Sequence, residues 1–353
     1  MNSRERVMAA LEHRPPDRIP KFDSFWAAFA SRARSELGLA SDIDLDDHFG
    51  IDISIAVADE TPFPTRAETL SRDGDEVVRR DGWGCVVRER AGAYFSEVLD
   101  VPIKGKGDLD RLVFDPPALD ARYAGFLRTV DANRGKRAVF CKTGGPFLRT
   151  SFMRGKVDFL MDIAGDALFA KALADRVADH IIEIGVESLR RGELCDTGLW
   201  IYDDMAHNLQ PFPSPASFES VFLPGYRRMV AAFKDAGAAQ VILHSDGNIA
   251  PLLDMLIDAG IDGINPVEPK AGMHLPTLKE RYGNRLSFIG GMCNSQTLPF
   301  GSEADIRAQT REIVDIASDG GAIIGAHSIG PDIPVRNYVA YHDTVLRDGS
   351  FAV

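Results

Sequence analysis

The sequence lacks paired cysteines, long apolar runs and any excess of positive charge, and each lack excludes something. Its four cysteines, Cys85, Cys141, Cys195 and Cys293, are scattered and form no CxxC pair. A zinc ribbon and a thioredoxin-type redox motif are therefore excluded. No stretch approaches the ~20 apolar residues that span a bilayer. The start, "MNSRERVMAALEHRPPDRIP", is charged and amphipathic, without the apolar core of a signal peptide, so a cytoplasmic location is expected. There the thiols stay reduced, and most read as small buried hydrophobes. A net charge of -12 argues against nucleic acid and anionic membranes, which both need basic patches. It leaves an anionic substrate open, because a substrate meets only the local field of its cleft. No GxGxxG follows the first strand, so a dinucleotide-binding open sheet has no support. No Ser/Gly/Pro-rich linker and no internal repeat divides the 353 residues. One domain, 1–353, is expected.

What is present is a regular alternation. From about residue 136, short Val- and Ile-rich runs ("RAVFCKTGG", "GLWIYDD", "AQVILHSDG", "IDGINPVEP", "RLSFIGGM", "AIIGAHSIG") alternate with amphipathic helical stretches that often close on Gly. Gly just past a helix supplies the left-handed residue of the cap. Such alternation predicts βαβ units and a parallel sheet whose strands are covered on both faces. "RIPKFDSFW" offers another strand, and "DHFGIDISIAVADETPF" one that ends at Asp59 and Glu60. The first hundred residues are otherwise less regular. "EVVRRDGWGCVVRERAGAYFSEVLDVPI" suggests antiparallel strands or a hairpin.

Polar residues cluster at strand ends: Asp203 and Asp204, His244 and Asp246, Asn265 and Glu268, Asn294, His327. Each alone could cap the next helix, the commoner role for Asp and Ser. Together they fit a (β/α)8 TIM barrel, where every strand C-terminus faces one mouth and catalytic groups come from several strands. The N-terminal part then reads as a helical and β elaboration packed on the barrel. In "VILHSDGNIAP" the H-x-D spacing puts His244 and Asp246 on one face of an extended segment. The pair could hold a metal, move a proton, bind a polar substrate or cap a helix.

"RERVMAALEHRPPDRIP", "DDMAHNLQPFPSPASFESVFLPGYRRMVAAFKDAG", "VILHSDGNIAPLLDMLIDAGIDGINPVEP", "LKERYGNRLSFIGGM" and "HSIGPDIPVRNYVAY" resemble the uroporphyrinogen decarboxylase superfamily, in order along nearly the whole chain. The resemblance implies a single (β/α)8 barrel and one of two chemistries. One is cofactor-free decarboxylation of a tetrapyrrole; the other is zinc-dependent methyl transfer with corrinoid proteins. For the first, the arginine-bearing segment after the first strand is missing: "FDSFWAAFASRARSELG" stands there. Asp59 matches the decarboxylase aspartate and His327 its late histidine, while Phe152 replaces its tyrosine. For the second, the H-x-C of the thiol-methylating members becomes His244-Ser245-Asp246, and the later cysteine falls on or beside His327.

The resemblance thus implies His244, Asp246 and His327 as ligands for Zn²⁺ or another divalent transition metal, supported by Glu268. Two imidazoles, a carboxylate and an open position suit a catalytic metal. Cys293 could also be a ligand, although a buried structural thiol is the simpler reading. Asp203 or Asp204 would serve as acid/base, with Asp59 and His327 in the catalytic set. Phe152, Arg149, His207 and Asn265 would contact substrate; Arg154 is a further candidate. The expectation is a metal-dependent methyltransferase acting on a small O-, N- or S-methylated compound. No corrinoid-binding DxHxxG occurs in the chain, so a corrinoid would come on a separate protein. Members are often homodimers. The alternative is a metal-free carboxy-lyase acting on a small acid, and a third reading is a lapsed barrel that only binds a small molecule.

Overall fold

In the computed structural model, which describes residues 1–93 and 95–350, twelve strands form two sheets. The strands are β1 (Lys21–Phe25), β2 (Ile53–Val57), β3 (Glu68–Asp73), β4 (Glu76–Arg80), β5 (Val86–Arg90), β6 (Glu97–Asp100), β7 (Ala138–Gly144), β8 (Gly198–Tyr202), β9 (Gln240–His244), β10 (Gly263–Val267), β11 (Ser287–Gly291) and β12 (Ala322–Ile329). Eight are parallel neighbours in the order β1-β12-β11-β10-β9-β8-β7-β2. Helices follow the strands and surround them, which makes a nearly closed (β/α)8 barrel. Among the described residues no ladder joins β1 to β2. Their starts are joined instead by the Asp52 amide, which donates to the Lys21 carbonyl at 2.9 Å.

The lumen is packed from below. Phe22, Phe140, Trp200, Ile242, Ile289 and Ile323 point inward, one or two per stave as period-2 alternation requires. Trp200 meets Phe22 and Phe140 edge-on at 5.0 and 6.1 Å. The helix Ser3–Leu11 adds Val7, Met8, Ala10 and Leu11 to this cluster and plugs the N-terminal end of the barrel. Its Ala10 carbonyl accepts from the Gly321 amide and its Leu11 carbonyl from the Ser287 hydroxyl. A second, larger apolar layer lies between staves and outer helices.

The N-terminal hundred residues are more than an elaboration, since they supply two staves, β1 and β2. The strand expected to end at Asp59 stops at Val57. What is added to the barrel is the antiparallel sheet β3-β4-β5-β6; the segment read as alternating antiparallel strands supplies β4, β5 and β6, and β3 precedes it. Tyr94, inside that segment, lies outside the described residues. Among the described residues no helix is long and apolar enough to cross a membrane.

Candidate functional site

The barrel's inward rows change from apolar to polar at their C-terminal tips. Ile242 is followed on its row by His244, Trp200 by Tyr202 and Phe140 by Lys142. Register places Tyr202 and Asn265 on either side of His244. The His244 ring lies flat on Tyr202, 4.0 Å between centroids with 13° between planes. Its Nδ1 is 2.6 Å from Asn265 Oδ1. The Asn265 amide nitrogen donates to the Ile289 carbonyl, which fixes the amide so that its oxygen faces the imidazole. Nδ1 must therefore carry the proton, and Nε2 keeps a free lone pair. Burial, helped by His327 nearby, pushes the His244 pKa down to about 3. The ring is neutral at pH 7, as a ligand must be.

Asp246 and His327 complete the cluster. One donor atom each from His244, Asp246 and His327 lies within 4.8 Å of the others. Asp246 Oδ1 is 3.6 Å from His244 Nε2 and 3.5 Å from His327 Nε2. That oxygen is buried and, among the described residues, accepts no hydrogen bond, and His327 Nδ1 likewise has no partner among them. Orphaned buried polar atoms are expensive and need an explanation. Burial and the adjacent Asp204 raise the Asp246 pKa to about 6. His327 is pushed down by burial, against the pull of Glu268, Asp204 and Asp23. It also has φ +60°, a left-handed conformation that costs a non-glycine residue about 1–3 kcal/mol and clusters at functional sites.

The turn after β9 is shaped to present this carboxylate. Gly247 has φ +86°, and a Cβ there would come within 2.8 Å of the His207 carbonyl, so only glycine fits. The Gly247 amide donates to Glu268 at 2.7 Å, and the Asp246 amide to Asp204 Oδ1 at 3.2 Å. Glu268 thus holds the turn rather than joining the three converging atoms, and burial raises its pKa.

Asp203 and Asp204, adjacent in sequence, part company. Asp204 faces the cluster, 3.7 Å from His244 Nε2. Asp203, expected as a catalytic candidate, is fully buried. It accepts from the Phe147 and Leu148 amides and from the Tyr226 hydroxyl, so it caps the helix Pro146–Arg154. A side chain at Gly145 would collide with it. Burial lifts its pKa to about 6 despite these bonds.

Several expected substrate contacts are engaged elsewhere. Asp59 is turned onto Thr61, whose amide and hydroxyl both donate to it. Arg149 is paired with Glu60 at 2.5 Å between the rings of Trp83 and Phe152, and Phe152 is exposed at the edge of Trp83. Arg154 is bound by Asp158 and Asp162. His207 accepts from the Leu209 amide in its own loop. Asn294 donates to the Ser328 carbonyl. Cys293 lies 3.6 Å from the Ser295 hydroxyl and is not among the converging donors. Two inward residues went unread in the sequence, Tyr202 and Lys142. For Lys142 the signal was there: a lysine inside the otherwise apolar run "AVFCKTGG". A cavity of about 520 Å³ opens beside the cluster where β1 and β2 stand apart. Ser24, Arg34, Asp46, Tyr202, His244 and His327 are on its wall.

A family model described as uroporphyrinogen decarboxylase (URO-D) matches residues 77–347, more than half of the chain. No curated protein matches the sequence. Among solved structures the chain is similar to a methyltransferase from Methanosarcina mazei, with a TM-score of 0.72 at 18% identity over 98% of each chain. That likeness shows the fold. A Penicillium canescens endo-1,4-beta-xylanase, XylE, aligns with a TM-score of 0.39 at 11% identity, over 67% of this chain and 81% of its own.

Proposed function

The chain belongs to the uroporphyrinogen decarboxylase family, and from that premise we propose that it is a metal-dependent methyltransferase of the family's methyltransferase-like branch. It moves the methyl group of a small O-, N- or S-methylated compound to a corrinoid protein or another acceptor. The observation that carries this reading is the convergence of His244, Asp246 and His327, with two donor atoms left unsatisfied. The fold likeness to the Methanosarcina mazei methyltransferase is consistent with it.

The three residues suit Zn²⁺ or another divalent transition metal: two nitrogens and one oxygen, with room for a substrate atom. A metal held there supplies Lewis-acid polarisation of the heteroatom that bears or receives the methyl group. Asn265 fixes the His244 tautomer, and the Tyr202 ring fixes its plane. Glu268 holds Gly247 and so the direction of Asp246. Asp204, the acid beside the cluster, takes up or returns the proton at the heteroatom. A corrinoid acceptor would come on a separate protein, since no DxHxxG occurs in the sequence. We place the enzyme in the cytoplasm as a homodimer of one-domain chains.

The test is methyl transfer from a panel of methyl ethers, amines and thioethers to free cob(I)alamin, before and after chelation. Activity lost on chelation and restored by Zn²⁺ supports the reading. Release of CO₂ from an acid by chelated protein, without methyl transfer, would replace it with the lyase.

A further inference from the structure

Lys142 is an inward cation at the mouth that has no ion-pair partner among the described residues and rests on an aromatic ring. Ala138 and Phe140 of β7 point into the lumen, so Lys142 follows them on the same row. Its ammonium stands 4.4 Å from the centroid of Tyr202, the ring that carries His244 on its other contact. It is half-buried. The Tyr202 face attracts the ammonium through a cation–π contact, which is weaker than an ion pair. Among the described residues no carboxylate lies within ion-pair distance of it.

The nearby acids are committed. Glu60 is shared between Arg149 and the Gly144 amide. Asp203 caps a helix. Asp204 accepts from the Asp246 amide. The competing cations are committed as well. Arg149 is held by Glu60, and Arg34 on the cavity wall donates to the Ile43 carbonyl. Burial and Arg149 lower the Lys142 pKa, against the pull of Glu60 and Asp204, so a bound anion would be the favourable counter-charge. The surroundings otherwise repel anions, since Asp204, Asp246 and Glu268 rim the same mouth. A single unpaired ammonium there is a specific feature and not part of a general positive field.

We infer that Lys142 anchors an anionic group of the substrate, a carboxylate, so that the methylated compound is a small organic acid rather than a neutral or cationic molecule. The cavity lined by Tyr202, His244 and His327, about 520 Å³, has room for an aromatic acid; Lys142 is not on its wall but stands over the Tyr202 ring that is. This inference rests on the mouth being the substrate site, as proposed above. An acid held there would lie against Tyr202, the ring on which His244 is stacked.

Binding of 4-methoxybenzoate and methoxyacetate, each against its neutral amide, tests this by calorimetry. Wild type, Lys142→Met, Lys142→Arg and His244→Ala proteins are compared, with metal content measured on each. We expect wild type to favour one acid over its amide at least tenfold. Lys142→Met should lose that preference with its metal content unchanged, Lys142→Arg should retain most of it, and His244→Ala should keep it. A Lys142→Met protein that keeps the preference overturns the inference. So does a preference that disappears in His244→Ala but persists in Lys142→Met, because the metal is then the anion site. A wild type that prefers neither acid overturns it too. A Lys142-dependent preference in a protein that binds no metal would sink the methyltransferase reading and leave only the anion-anchoring role of Lys142 standing.

Discussion

The two ends of the barrel treat charge in opposite ways. At the N-terminal end Asp52 is fully buried and saturated. Its carboxylate accepts from Arg6 at 2.9 Å, from both terminal nitrogens of Arg18 at 2.7 and 2.8 Å, and from the Lys21 amide at 3.0 Å. Arg6 is also held by Asp17. Among the described residues, at the C-terminal end Asp246 keeps a buried oxygen with no donor, His327 a nitrogen with no partner, and Lys142 an ammonium with no carboxylate partner, resting on the Tyr202 ring. Satisfied charge closes the barrel where β1 and β2 lack a ladder. Unsatisfied charge collects at the mouth, where His244, Asp246 and His327 converge. In TIM barrels the first end reads as stability and the second as chemistry.

The largest effect that would break this contrast is at the closed end. Asp52→Ala leaves two arginines facing a buried void, and removing one partner of a buried ion pair costs about 3–5 kcal/mol. Urea unfolding should show that loss. A change within about 0.5 kcal/mol, typical of surface sites, would mean that Asp52 does not close the barrel. Next comes the support of His244. Asn265→Leu keeps volume but frees the Nδ1 proton and the Ile289 carbonyl. Metal affinity should fall ~10–100-fold, the usual cost of losing an orienting partner, as read by competition with a chromogenic chelator. Within the mouth, Asp203 should behave like the closed end. Tyr226→Phe removes one of its three donors, and a hydrogen bond to a charged group contributes about 1.5–3 kcal/mol. We expect reduced thermal stability and unchanged metal content.

The smallest effect has the opposite sign. Asp246 has a folded pKa of about 6, above its usual 3.8. An acid whose pKa rises on folding weakens the fold as pH climbs through that window. Asp246→Asn should therefore stabilise metal-free protein at pH 7, by ~0.5 kcal/mol for a half-exposed carboxylate after solvent screening. The gain should vanish below about pH 4. Asp17 works the other way. Its bonds to Arg6 and to the amino terminus hold its pKa below the usual carboxylate range, so its stabilisation is present above about pH 4 and fades as pH falls. Thermal melts from about pH 2 to pH 7 separate the two ends: the Asp246 effect changes between about pH 4 and 6, and the Asp17 effect only below about pH 4.

Much of the fold was legible because staves covered on both faces must be apolar and β-branched, and helices between them must end. The polar tips were legible for the same reason, since a charge that interrupts an apolar run needs a cause. The eighth stave was less clear, because "IDISIAV" lies among irregular segments whose partners are distant in sequence. Asp203 and Asp204 could not be separated from sequence. Adjacent residues at a strand end point opposite ways, and the direction depends on where the strand stops. Arg149 and Asp59 read as open contacts because Glu60 and Thr61, which occupy them, do so only in three dimensions. Lys142 was visible but unread, since a lysine near a strand end is ordinarily at a solvated edge.

The central claim is that the C-terminal mouth is built to hold a divalent metal, and metal content per chain tests it most directly. Elemental analysis of wild type, His244→Ala and His327→Ala, purified together and checked for fold by circular dichroism, should find about one transition metal per wild-type chain and almost none in either variant. A folded wild type that neither carries metal nor takes up stoichiometric Zn²⁺, or a His244→Ala protein that keeps its metal, would contradict the account.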